Sequence, residues 1–298
     1  MIGSAGIATM IFYNQVLGVG AALCGLVFLI ASIIDAVSDP LIGSWSDNFH
    51  SRWGRRHPFM LFAVLPLTVG FYFMYNPIDG LSEMQYFWWF LGTMALLRLG
   101  TTFFSVPHTA MGAELTDDYH ERTSIFGFNF VIGMIGGTLI FVFILMVIFP
   151  STAGYDNGLL NPERYPLLAT SGAAWLCVML LICVFGTRDQ ISNMHNPDPE
   201  EKFDIVDYLK NLAMLLTSPS YLALCAAWLI TMSAAGMLVV MGTYTFIYCY
   251  ELSTETMTIL RFITIPGVLV AIPFTAWLTT RLDKKWTVIY MFSVGAIF

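Results

Sequence analysis

Long apolar runs follow one another along this 298-residue chain with only short polar interruptions. A bilayer-spanning helix needs about 20 mostly apolar residues. Runs of that order extend from Val16 to Trp45, Phe59 to Tyr75, Met84 to Gly112, Ile125 to Phe149, Tyr165 to Phe185, Tyr221 to Tyr250 and Met257 to Thr280. Only 11% of the residues are charged and 57% are hydrophobic, against about 25% charged in a soluble domain. A chain so composed lacks the polar surface to stay in water, and the pattern predicts an all-α polytopic membrane protein. Two shorter runs, Ile2 to Tyr13 and Trp286 to Phe298, lie at the ends. Neither can cross about 30 Å at about 1.5 Å per residue, so the chain is expected to be a piece of a longer protein, with about eight to nine helices present.

The charges between the runs alternate in kind. Arg52, Arg55, Arg56, Arg122, Arg188, Lys202, Lys210, Arg281, Lys284 and Lys285 fall on one side, and Arg164 stands on the other. Lys and Arg accumulate on the cytoplasmic face, which makes the turn after Asp47 cytoplasmic. The polar stretch from Thr187 to Ser218 divides the chain into a first helix bundle (1–186), a central cytoplasmic loop (187–218) and the start of a second bundle (219–298). A faint echo between Asp39-Pro40 before the first basic turn and Ile272-Pro273 before the last fits two related halves. The formal charge of −7 does not suggest nucleic acid, because the basic residues are confined to particular loops; the expected surroundings are lipid and a small-molecule substrate, and the protein is read as a monomer. No Lys or Arg precedes Arg52, so the basic region of a cleaved leader is missing. The five cysteines, Cys24, Cys177, Cys183, Cys225 and Cys249, sit in apolar runs without a CxxC pair and read as free thiols, with no cofactor implied.

The most specific stretch runs from Asp35 to Phe59. A charged side chain inside a bilayer costs at least about 2.5–3.5 kcal/mol, yet Asp35 and Asp39 stand near the end of an apolar run. Four residues apart, they face one way on a helix, with Ser38 three from Asp35. Two close carboxylates disfavour double ionisation, so a metal cation or a proton stabilises the pair. Hard oxygen donors suit an alkali ion without choosing it over a proton, and neutralisation by a nearby Arg is the structural alternative. The acids point to cation-coupled transport across a membrane.

The order Asp35-x-x-x-Asp39-Pro-x-x-Gly43, then Ser46-Asp47, then Ser51-Arg-Trp-Gly-Arg-Arg-x-Pro-Phe59 resembles the glycoside–pentoside–hexuronide:cation symporters of the major facilitator superfamily. A second block, Val106-Pro107 followed by Gly112-Ala-Glu-Leu-Thr-Asp-Asp-Tyr-His-Glu-Arg122-Thr, agrees, and the likeness covers nearly the whole chain. It implies two six-helix bundles around a substrate cavity, here cut within helix one and helix nine. It also implies symport of a sugar or glycoside with sodium, lithium or a proton across a bacterial cytoplasmic (inner) membrane. Carried over by resemblance, the cation ligands are Asp35, Ser38, Asp39 and Thr102, with Asp35 and Asp39 supplying the charge for an alkali ion. The family's sugar-contacting charges are not matched: Ser105 and Asn129 stand where two of them would be.

Other polar residues on these helices are weaker candidates. Arg98 lies four before Thr102 and seven before Ser105, so it either pairs with a helix-two acid or contacts substrate. Ser105, Thr109 and Asn129 could bond substrate hydroxyls. His108 beside Pro107 reads as packing or a helix kink. Gly133 and Gly137, broadened by Gly136, predict close approach of a neighbouring helix. Asp47, Arg52, Arg55 and Arg56 can pair with Glu114, Asp117, Asp118 or Glu121 of the next cytoplasmic loop, where Arg122 adds a charge, and so form a cytoplasmic gate. A membrane aspartyl protease needs acids on two helices, and no Gly-x-Gly-Asp, His-Glu-x-x-His or Gly-x-Ser-x-Gly occurs, so an enzyme is not expected. A sodium-coupled lysolipid or other small-solute carrier of the same superfamily, or an inactive fragment, are the alternatives.

Overall fold

A computed structural model describes residues 8–49, 51–116, 118–189 and 217–260, with isolated positions outside these ranges. Helix α1 (8–16) ends in the π-helical turn Phe12–Val16. Then come α2 (Ala21–Asp47), α3 (His57–Met74), α4 (Glu83–Glu114) and α5 (Tyr119–Phe143, prolonged by the π turn Ile144–Ile148). They are followed by α6 (Tyr165–Gly186) and α7 (Pro219–Tyr244, prolonged by the π turn Thr245–Cys249). Six helices among the described residues are long and apolar enough to cross a membrane. The run expected from Met257 is helical from 254 to 260. Most of its remainder lies outside the described residues, as do Ile272-Pro273, Asp283 to Lys285 and most of the 187–218 loop.

One boundary differs from the sequence expectation. The run from Val16 does not begin α2; Val16 closes α1, and Gly18 turns the chain with φ +76°. Glycine adopts that angle without steric cost. The apolar pattern crosses this corner unbroken because Leu17 and Val19 are themselves apolar. Helix α2 then starts at Ala21, and the Glu83 carboxylate accepts from the Gly20 N–H at 2.9 Å, capping a terminus whose first N–H groups lack helical partners.

Helices α2 and α4 run parallel and in register. Residues whose numbers differ by 63 lie side by side: Gly20 with Glu83, Asp35 with Arg98, and Asp39 with Thr102. A Cβ built on Gly43 would touch Val106 at 3.4 Å, extending the same ladder. Both helices advance four residues per rung, about one turn, so a polar residue on one recurrently meets the same partner position on the other.

Helix α3 crosses α4 antiparallel through reciprocal glycine–leucine contacts. A Cβ on Gly70 would stand 3.1 Å from Leu97, and one on Gly100 only 2.8 Å from Leu67 Cγ and 3.1 Å from the Leu67 backbone nitrogen. Around this crossing Met60, Leu67, Phe71, Phe90 and Leu97 are buried. Tyr13 of α1 stacks on Phe90 at 3.9 Å and donates to the Met74 carbonyl at 2.8 Å, joining α1 to α3 and α4. Gly100→Val should therefore lower the melting temperature of the detergent-solubilised protein, since overpacking costs about 1–3 kcal/mol. Gly92→Ala on the same helix, where a Cβ meets nothing within 4 Å, should leave it unchanged or raise it. Equal melting of the two variants would mean that α3 and α4 do not cross at Gly100.

The glycines expected to seat a neighbouring helix behave differently. A Cβ on Gly133, Gly136 or Gly137 would meet nothing within 4 Å, and Phe128, Ile132, Ile135 and Leu139 around them are exposed. Spacing alone identified a smooth helix face there; the tight crossing uses single glycines on two different helices.

The end carrying Arg164 is drawn together by the α5–α6 loop. Ser151 donates from both N–H and Oγ to Glu255 (3.1 and 2.7 Å), Asn157 Nδ2 donates to the Leu252 carbonyl (3.1 Å), and the Gly158 N–H donates to Thr254 Oγ1 (2.8 Å). Thr254 is fully buried. Tyr244 and Tyr248 of α7 donate to Asn14 (2.9 Å) and Gln15 (2.6 Å) of α1. The Ser151 hydroxyl holds the Glu255 carboxyl down at about 2, so this carboxylate stays charged through the whole physiological range.

Candidate functional site

The α2–α4 ladder brings three of the four carried-over cation residues, Ser38, Asp39 and Thr102, together. Thr102 Oγ1 donates to Asp39 Oδ1 at 2.8 Å and lies 3.0 Å from Ser38 Oγ. The two hydroxyls are buried, at 2% and 7% exposure for Thr102 and Ser38, while Asp39 is exposed. An exposed carboxylate held by the Thr102 hydroxyl can accept a small cation or a proton. Asp35, one turn away, is engaged differently: Arg98 Nη1 donates to its Oδ2 at 2.9 Å. Of the two roles considered for Arg98, the geometry shows the pairing with an acid of α2.

Ser105 is half-buried, and Thr109 and Asn129 are exposed. Among the described residues no hydrogen bond joins them to one another or to the acids. His108 stacks on Phe104 at 5.4 Å, in keeping with packing, and Pro107 is accommodated inside α4 without ending it.

At the opposite end from Arg164, the basic turn makes a compact ion cluster. Arg56 pairs with Asp47 (2.9 Å) and Glu114 (2.8 Å), and Arg55 also pairs with Glu114. The Arg56 side chain is only 4% exposed. These contacts staple the ends of α2 and α4 to the turn leading into α3, all within one helix set. His57 meets Thr187 at 3.1 Å and Arg188 lies over the Trp53 ring at 5.7 Å, so the start of α3 and the end of α6 share this end, as the alternation of loop charge predicted. Arg52 is exposed and outside the pairs seen among the described residues. Asp118 and Glu121 serve the start of α5, where Asp118 Oδ1 accepts from the Glu121 N–H at 3.0 Å and Thr116 Oγ1 donates to Glu121 at 2.7 Å. Asp117 and the Arg122 side chain lie outside the described residues. Sequence reasoning had offered several acids to the arginines, and Glu114 is the one placed by the last turn of α4 to take both.

Together the long apolar helices and the absence of strands among the described residues define an all-α, multi-pass membrane protein. The sequence profile of the family described as MFS/sugar transport protein matches residues 1–298, and the chain belongs to that family, which comprises transporters and not enzymes. Among similar proteins, the inner membrane symporter YicJ of Escherichia coli is 32% identical over 61% of this chain and 38% of its own length. The isoprimeverose transporter of Lactiplantibacillus pentosus is 28% identical over 59% of this chain and 34% of its own. The human sodium-dependent lysophosphatidylcholine symporter 1 is 23% identical over 92% of this chain and 53% of its own. The chain thus spans roughly a third to a half of the length of these relatives.

Proposed function

We propose that the whole protein is a secondary active transporter that carries a sugar or glycoside together with sodium or a proton across a bacterial cytoplasmic (inner) membrane by alternating access. The observation that carries this reading is the Asp39–Thr102–Ser38 cluster beside the Asp35–Arg98 pair on one parallel helix pair. Cation binding in this reading uses Asp35, Ser38, Asp39 and Thr102, with Arg98, Ser105, Thr109 and Asn129 toward substrate. The Asp47, Arg55, Arg56 and Glu114 cluster is the cytoplasmic lock, assisted by Arg52, Asp117, Glu121 and Arg122. One relative named as a symporter and another named as an isoprimeverose transporter support the substrate class. Residues 1–186 form the first bundle, 187–218 the connecting loop, and 219–298 the beginning of the second.

A second reading has its own support. An almost wholly apolar groove of about 620 Å³, lined by Gly136, Leu139, Phe143, Ala174, Trp175 and Val178, separates α5 and α6, and the relative matched over 92% of the chain is named for a lysophospholipid. An acyl chain fits such a groove better than a sugar does. Vesicles containing the whole protein separate the two readings. Labelled glycosides should accumulate only when an inward sodium or proton gradient is imposed, with competition from unlabelled glycosides and none from lysolipids. Competition by lysolipids alone would transfer the proposal to the second reading, and accumulation without either gradient would end both.

A further inference from the structure

The two acids of α2 are held by different kinds of partner. Asp35 faces a permanent cation at 2.9 Å, whereas Asp39 faces only the hydroxyls of Thr102 and, through it, Ser38. Arginine does not lose its charge in proteins, so with both acids ionised the group carries a net charge of minus one. That is the charge one monovalent cation cancels. Without Arg98 the same site would stand at minus two beside low-dielectric surroundings, where like charges repel strongly. The parallel register sets this division: Asp35 meets Arg98 and Asp39 meets Thr102, each pair 63 residues apart.

We infer that Arg98 is a built-in counter-ion that takes Asp35 out of direct ligation, so the site is specific for one exchangeable cation and Asp39 is its only charged ligand. This rests on the ion-site reading above and amends it at two residues: Asp35 sets the charge balance instead of ligating the ion, and Arg98 serves that acid instead of the substrate. Arg98 acts as a positioning and charge-setting residue, and the loaded site is neutral when the carrier rocks.

The test is cation binding to the complete carrier in detergent. Sodium, lithium and protons are titrated separately in choline-balanced buffer, and heat and proton release are recorded. Asp35→Asn/Arg98→Gln keeps the net charge of minus one and should bind the parent's cation within about fivefold. Arg98→Gln alone should tighten that cation about tenfold or more, or release one further proton per cation bound. Asp35→Asn alone, which leaves Arg98 unpaired, should weaken it about tenfold or more. Loss beyond about fivefold in the double variant would make Asp35 a ligand and overturn the inference, as would an Arg98→Gln protein matching the parent in both readouts. If the single variants do not stay monodisperse, the double variant decides alone. Failure of the ion-site reading itself shows separately, as undiminished binding in Asp39→Asn.

Discussion

Asp39→Asn in the complete carrier is expected to abolish concentration of substrate against its gradient while downhill exchange persists. The substitution keeps the size of the side chain and its acceptor for Thr102, and it removes the exposed charge. A hydrogen bond or contact to a charged group is worth about 1.5–3 kcal/mol, so cation affinity should fall by about 10- to 100-fold. Linkage between two ligands is reciprocal; substrate affinity should therefore lose its dependence on sodium or on pH, whichever drives the parent. Uptake and counterflow measured side by side in vesicles check this. A variant that still concentrates substrate with the parent's ion dependence would make Asp39 a structural residue, and the Ser38–Thr102 contact a helix-packing bond.

The second large effect concerns the ion cluster at the basic end. Glu114→Ala removes the shared partner of Arg55 and Arg56, and Arg56 is nearly enclosed. Truncating one member of a buried pair costs about 3–5 kcal/mol because the remaining charge is left uncompensated. Glu114 is 24% exposed and Asp47 still holds Arg56, which places the expectation at the lower end, about 3 kcal/mol. Thermal unfolding in detergent should show a loss of several degrees for Glu114→Ala, a smaller loss for Glu114→Gln, and none for Arg52→Ala. Glu114→Ala melting together with Arg52→Ala would mean that the cluster contributes nothing to the fold.

Much of this was legible from residue order. The helices follow from the apolar runs, the shared end of the basic loops follows from charge alternation, and the common side of Asp35, Ser38 and Asp39 follows from helical spacing. What joined Thr102 to Asp39 was resemblance, since no local pattern relates residues 63 apart; the parallel register that accounts for it exists only once α2 and α4 are packed. The same limit explains Gly70 and Gly100, each unremarkable in its own helix and decisive only opposite a leucine of the other. Gly133 and Gly137 show the converse, a local motif over which an added Cβ would meet nothing within 4 Å. At Val16 the pattern misled because Leu17 and Val19 keep the run apolar through a corner that one glycine angle makes.

The π-helical turns at the ends of α1, α5 and α7 bear on how such a carrier can move. Their closing bonds, Leu17 N–H to Phe12 C=O, Phe149 N–H to Ile144 C=O and Tyr250 N–H to Thr245 C=O, measure 2.9–3.0 Å, and each turn winds one residue more than an α turn. All three lie at the Arg164 end, and the groups closing that end hang from them or just beyond: Asn14, Gln15, Ser151 and Tyr248. The acid ladder hangs instead from α2 and α4, whose winding is α-helical throughout. Rewinding a single turn would re-aim the closing side chains by about 100° without shifting any rung between α2 and α4. The π turns thus gather where α1, α7 and the α5–α6 loop meet. The contacts of Asp35 and Asp39 stand apart from them on α2 and α4, so a change of winding at one end leaves the spacing of the acids in place.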